Sequence, residues 1–472
     1  MSINNVESAI GIKTVKSSDF TLSSGRATAF GAAEVGFGLM MQVAVSYFAY
    51  FLTDIALIGP AIVGTMLLIN RIVDAISVPL TGAIIEKSNL PWGKYRSWMM
   101  IAPAVVAVCF IMMYRVPSGM SEVAMAIYFS IFYMVGHIFV NFSYSSRFAL
   151  LPAMGNTPKS RIMVASRTSQ MNTASRIIFS LVSLPIIMWL GGEQVRNARG
   201  FFLYMVIFGI LQWGTYMISA LAAKPVDIPG RWSKKNVPTG REMINQVITN
   251  KHLITIMLAE LGRFTAALSL AGFAVYFYQY VAGDMALVSM YFLSLTVGGF
   301  VGNLIGPQIA KRLGTKKTYV IALFGQALFL VLAYFIGRTP MAFLALSGLA
   351  SLSSGFGFSI SGAVYSDCAD YAEWKTGKSS KGIVMSLSAF PIKMAMVISG
   401  SVAAYALAAI GYVGGMTPTP EIQQGVAIIA TLLPAVASVF GFICILFYNL
   451  KPDDLVKMKE VIKERQSQIQ EG

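Results

Sequence analysis

The stretch VGTMLLINRIVDAISVPLTGAIIEKSNLPWGKYRSW, residues 63–98, decides how the rest of the chain is read. Its first two thirds are apolar and long enough to cross a bilayer as a helix, which takes about 20 such residues. Arg71 and Asp74 nevertheless sit near the middle of that run, one helical turn apart. An ionisable residue at mid-membrane costs roughly 2.5–3.5 kcal/mol on insertion scales, so it usually faces a partner or a water-filled path. The run then ends in Pro91, Trp92, Gly93, Lys94, Tyr95 and Arg96, a tight basic turn suited to a membrane surface.

The whole chain repeats this character. Of 472 residues 56% are hydrophobic and only 12% are charged, about half the charged share of a soluble domain. The pattern predicts twelve spans, near 28–52, 57–85, 97–115, 120–145, 162–191, 200–223, 252–281, 285–310, 317–337, 340–366, 382–410 and 422–449. This is the pattern of an all-α membrane protein.

A formal net charge of +15 could suggest nucleic acid, but the placement of the 36 Lys and Arg argues otherwise. One set of alternate loops holds only Arg115, Arg196, Arg199 and Arg338. The other set holds Lys94 and Arg96, Lys159 and Arg161, Lys311 to Lys317, and Lys375 to Lys381. By the positive-inside rule the basic loops and both termini are cytoplasmic. Residues 1–26 hold Lys13, Lys16 and Arg26 but no apolar core, so they read as a tail and not a signal peptide. Cys109, Cys368 and Cys444 are scattered, with neither disulfide nor metal spacing.

The longest polar break, residues 224–251, contains three prolines and no apolar run. It divides the chain into a tail (1–27), a six-helix bundle (28–223), a linker (224–251), a second six-helix bundle (252–449) and a final tail (450–472). The basic turn Trp92 to Arg96 after the second span is echoed by Arg312 to Lys317 after the eighth. Paired halves with matching turns are the repeat pattern of the major facilitator fold, whose substrate site lies at mid-membrane between them.

Four stretches carry a family resemblance: RIVDAISVPLTGAIIEK…WGKYRSW, ALLPAMGNTPKSR (149–161), SDCADYAEWKTGKSSKGIVMS (366–386) and AFPIKMAMVISG with Lys393. Together, in order, they resemble the glycoside–pentoside–hexuronide:cation symporters, typified by the melibiose carrier. The resemblance implies a coupling cation at Asp74 and Asn141, and a sugar held by Gly38, Arg71, Tyr144, Phe148, Arg167 and Lys393. Two departures matter. The family's sodium-coupled members resemble DxxxD in the second span, but here Val78 follows Asp74. Sodium prefers a cluster of hard oxygens, whereas a proton needs one suitable carboxylate, so H⁺ is expected over Na⁺, with Na⁺ at Asp74 the alternative. The acids that grip sugar in that family also have no match, since Gly38 and Tyr144 stand in their places. Cations remain at Arg167 and Lys393, which implies an acidic glycoside such as a hexuronide. Lys and Arg also donate to neutral sugar hydroxyls, so a neutral pentoside stays open.

Other ionisable residues admit competing readings. Arg71 could simply neutralise Asp74. Glu34, in GAAEVGFG, fits a structural ion pair or a place on the cation path. Asp54, at the outer end of the first span, is expected to be solvated. His137 shares a face with Asn141 and is expected to pack, although a second proton site is conceivable. Glu260 and Arg263 are expected to pair within one helix. Asp367, Asp370 and Glu373, followed by Lys375, Lys378 and Lys381, are expected to form salt bridges between helices that close an inner gate, with Lys94 and Arg96. The segment KMKEVIKERQ reads as a short solvated helix.

No nucleophile elbow, Walker loop or metal-spaced histidine pair is present, so neither an enzyme nor an ATP-driven pump is expected. No cofactor is implied beyond the coupling ion. The expectation is a monomeric secondary transporter of the plasma (inner) membrane, binding a small glycoside. A lysolipid carrier on the same fold is the alternative, and a membrane sensor is a third reading.

Overall fold

A computed structural model describes residues 22–151, 153–154, 158–192, 197–227, 249–337, 339–376, 384–385, 387–450, 454–455 and 457–462. Among these residues, twelve helices are long and apolar enough to span a membrane. They are α1 (Ser24–Ser46), α2 (Pro60–Lys87), α3 (Arg96–Met113), α4 (Glu122–Leu150), α5 (Met163–Leu190), α6 (Ala198–Ala222), α7 (Lys251–Ala282), α8 (Leu287–Leu313), α9 (Thr315–Ile336), α10 (Pro340–Lys375), α11 (Phe390–Ala409) and α12 (Pro420–Leu446).

Local chemistry sets several of their ends. Ser121 caps α4 by accepting from the Ala124 amide, and Asn250 caps α7 through the Leu253 amide. Pro60 and Pro420 occupy first turns, where a missing N–H costs nothing. The basic turn between α2 and α3 needs Gly93 at φ +116°, where a Cβ would strike the backbone and carboxylate of Asp227. Asp227 in turn accepts from the Tyr95 and Arg96 amides at 2.9 and 2.6 Å, locking the start of α3.

Helix α10 is longer than the sequence pattern suggests. The segment from Ser366 to Glu373 continues the helix instead of opening a loop. Helix α8 lies against α10 through Gly298, Gly302 and Gly306, which face Gly348, Leu352, Gly355 and Phe356. Small residues at this spacing let two helix backbones approach closely. Residues 228–248, most of the expected linker, lie outside the described residues, as do Lys378, Lys381 and the end of the final tail.

Helices α1–α6 pack chiefly on one another, as do α7–α12. Three pairs join the sets: α2 with α11, α5 with α8, and α1 with α7. The molecule thus has a terminal side, where α1 begins and α12 ends, and a far side. The far side is sealed. One apolar cluster there includes Tyr47, Phe48 and Phe51 from the segment after α1, together with Tyr276, Phe292 and Tyr412. On the terminal side the cores are separate: Phe30, Met99 and Tyr216 belong to one, and Leu253, Tyr319 and Tyr365 to another. The two sets of helices meet at the far side and part toward the termini.

Candidate functional site

Where the seam begins to part, three polar side chains from three helices converge. Helix α2 brings Asp74, α4 brings Asn141 and α11 brings Lys393. The Asn141 amide donates to Asp74 Oδ1 at 2.7 Å and to Ser77 Oγ at 2.9 Å. Lys393 Nζ donates to Asp74 Oδ2 at 3.0 Å and to Asn141 Oδ1 at 3.3 Å. Asp74 is buried, whereas the Lys393 side chain keeps 30% of its surface open. A carboxylate without a partner in a low-dielectric interior is costly. Its partner here comes from the opposite set of helices, so the pair ties the two sets together.

Arg71 is therefore not the counter-ion of Asp74. Its guanidinium points to the far side of Asp74 and lies against Gly400 of α11, where a Cβ would come within 3.1 Å of Nε. Tyr144 and Phe148 stand one turn apart on α4, with ring centroids 4.5 Å apart, and both are exposed. Phe37 extends this aromatic wall, 5.8 Å from Tyr144.

Two expected sugar contacts sit elsewhere. Gly38 is a packing glycine: a Cβ there would overlap Ser175 Oγ, because α1 and α5 cross closely at this point. Arg167 lies at the terminal end of α5, donating to Ser24 Oγ at 3.0 Å and Gln170 Oε1 at 3.1 Å. The cation of α5 beside Tyr144 is Arg176, nine residues on. It is exposed, hydrogen-bonds Asn172 Oδ1 at 3.2 Å, and lies within electrostatic reach of the Tyr144 hydroxyl. A second charge inside the fifth span was the available signal.

Among the described residues, Lys94, Arg96, Asp367 and Asp370 of the expected gate pair within their own set of helices or with the tail in this conformation. Lys94 pairs with Glu86, and Arg96 donates to the Ala220 and Trp92 carbonyls, all within the first set. Asp367 and Asp370 face Lys459 of the tail helix at 3.8 and 3.4 Å. Glu373 follows on the same helix, while Lys375 donates to the Thr249 carbonyl at 3.0 Å. The open terminal side explains this, since the partners such a gate would need are apart.

Three further ionic groups complete the interior. Glu34 pairs with Arg147, and Asn172 Nδ2 donates to the other carboxylate oxygen at 2.8 Å. This is a buried pair within the first set of helices, and it involves an arginine that sequence reasoning passed over. Glu260 and Arg263 pair within α7 at 2.6 Å, as their spacing implies, and Tyr319 also donates to Glu260. His137 packs against the Tyr133 ring at 3.9 Å.

Asp54 is the largest correction, because it is not solvated but 4% exposed. A π-helical turn, Phe51–Ile55, continues the line of α1, and another, Phe277–Ala282, ends α7. Between them the Asp54 carboxylate accepts from Tyr280, from Tyr412 at 2.7 Å to each oxygen, and from Thr53 at 2.7 Å. Thr53 also meets the Tyr276 hydroxyl at 2.9 Å. Phenols from the second set of helices thus replace water around this carboxylate and latch the far side shut.

Comparison with known proteins agrees with this architecture. The sequence model of a family described as MFS/sugar transport protein matches residues 29–452. The isoprimeverose transporter of Lactiplantibacillus pentosus is 26% identical over 450 residues, covering 94% of this chain and 91% of that protein. The glucuronide carrier protein homolog of Escherichia coli is 25% identical over 426 residues, covering 88% and 89%. Among solved structures, the nucleoside transporter NupG superposes with a TM-score of 0.58 at 15% identity, covering 90% of this chain and 99% of that one. That likeness concerns the fold.

Proposed function

Because the chain belongs to the MFS/sugar transport protein family, a multi-pass membrane transporter and not an enzyme, we propose that it is a proton-coupled symporter of an acidic glycoside. The supporting observation is the Asp74–Lys393 pair across the seam. In the proton-free state Lys393 neutralises Asp74 from the opposite set of helices. A proton arriving on Asp74 removes the charge that holds the ammonium. Lys393 is then released to donate to a sugar, so proton and sugar bind as partners and leave as partners. A sodium ion would have to displace Lys393 and gather several oxygens around one carboxylate, with Val78 supplying none.

Charge supports the acidic substrate. Arg71, Arg176 and Lys393 face the seam or the aromatic wall, and Asp74 is the carboxylate set against them. A sugar acid enters such a site with its charge compensated. The similarity to a glucuronide carrier homologue points the same way, and Tyr144 and Phe148 offer rings for a pyranose face.

The excess of basic residues in the terminal-side loops favours a cytoplasmic terminal side. On that reading the conformation is open to the cytoplasm, in the inner membrane, with the protein acting as a monomer and the polar break at 224–251 joining its halves.

Uptake into proteoliposomes tests the proposal. An inward proton gradient in sodium-free buffer should accumulate labelled phenyl glucuronide, and an uncoupler should abolish accumulation. Accumulation that requires sodium, or that favours the matching glucoside, would refute the coupling or the substrate assignment respectively.

A further inference from the structure

On the far side of Asp74 the seam encloses a narrow cavity of ≈ 30 Å³, lined by Ala44, Phe48 and Arg71 from one set of helices and by Ser269, Tyr276 and Gly400 from the other. That volume holds about two water-sized atoms. It is far too small for a sugar ring, but it matches the two oxygens of a carboxylate. Two of its polar groups lack partners. Arg71 Nε is buried and hydrogen-bonds to nothing among the described residues, and the same is true of Ser269 Oγ. Buried donors left unpaired are expensive, and both of these residues line the one cavity, which points to a ligand that satisfies both.

The neighbouring cations are already engaged. Lys393 holds Asp74 and Asn141, Arg176 holds Asn172, Arg147 holds Glu34, and Arg263 holds Glu260. Arg147 also keeps Nε and Nη1 without a hydrogen-bond partner among the described residues, but it does not line this cavity; Arg71 lines it, has an unused Nε and stands one turn along α2 from Asp74. Gly400 keeps the space beside it open, since a Cβ there would press on the guanidinium at 3.1–3.4 Å.

We infer that this cavity is the subsite for the acid group of the substrate, with Arg71 and Ser269 donating to one carboxylate whose sugar ring extends toward Asp74, Lys393 and Tyr144. The inference rests on the acidic-glycoside reading and assigns the selectivity to Arg71, leaving Lys393 to coupling. A planar guanidinium suits a carboxylate better than an ammonium does.

Binding of phenyl glucuronide and phenyl glucoside to the purified full-length protein, by calorimetry, tests it. Wild-type protein should favour the glucuronide by about tenfold, the factor separating a charge-assisted from a neutral hydrogen bond. Arg71→Gln should bring the ratio near one, mainly through lost glucuronide affinity. Ser269→Ala and Gly400→Ala should each lower it, and they decide the matter if Arg71→Gln fails to fold by thermal melting. A wild-type preference that survives in all folded variants overturns the subsite while sparing the acidic-substrate reading. A wild-type protein with no preference overturns both. A second arm adds sodium chloride without sugar: if the salt raises the melting temperature of wild type but not of Arg71→Gln, the cavity holds a free halide and the assignment is wrong.

Discussion

Removing one hydroxyl from the far-side latch should open the protein on that side. Tyr412 donates to both oxygens of Asp54 at 2.7 Å, and the contact joins the two sets of helices. It must break when the far side opens, so its free energy enters the conformational equilibrium directly. A hydrogen bond to a charged group contributes roughly 1.5–3 kcal/mol. Tyr280 and Thr53 still serve the carboxylate in Tyr412→Phe, so the lower figure applies, about 1.5 kcal/mol. That corresponds to about a tenfold shift toward the far-side-open state. The readout is the rate at which an impermeant maleimide, added from the far side, labels Ala404→Cys in a background lacking the native cysteines. Ala404 is 2% exposed on the sealed seam. Tyr412→Phe should raise that rate by about tenfold, and Asp54→Ala should raise it further. An unchanged rate in both variants would show that the aromatic packing alone seals the far side and that the latch is incidental.

Two other outcomes concern stability. Arg147→Ala leaves Glu34 as an uncompensated buried charge, so it should lower stability by about 3–5 kcal/mol, read as a marked drop in melting temperature in detergent. Glu34→Gln with Arg147→Met should recover much of that loss. Gly38→Asp should reduce folded yield by driving a side chain into Ser175, with partial rescue by Ser175→Gly, and should not convert the protein to neutral sugars.

The fold was legible in the sequence because a bilayer imposes one length and one composition on every span, and charged loops punctuate them. Asp74 stood out for the same reason, as a charge in an apolar run, and the family resemblance pointed to Asn141 and Lys393. Their union did not, since Lys393 lies 319 residues from Asp74 and only the packing of α11 on α2 brings them together. Arg167 drew attention through the family resemblance, yet depth along α5 decides which arginine reaches the aromatic wall, and Arg176 has that depth. Asp54 misled for a different reason. At a helix end water is the ordinary partner of a carboxylate, and nothing local in the sequence announces three tyrosines arriving from the other half. Gly38 occupies the position of an acid in the resembling family, but a glycine at a helix crossing is explained by the neighbour it admits.

The central claim is that Asp74 is the coupling site, which one variant tests. Asp74→Asn keeps the shape and the hydrogen-bonding oxygen but can neither take up a proton nor hold Lys393 as an ion. In proteoliposomes it should lose accumulation of labelled glucuronide against a gradient while retaining exchange of internal for external substrate. Accumulation driven by the proton gradient in Asp74→Asn at the wild-type level would contradict the account.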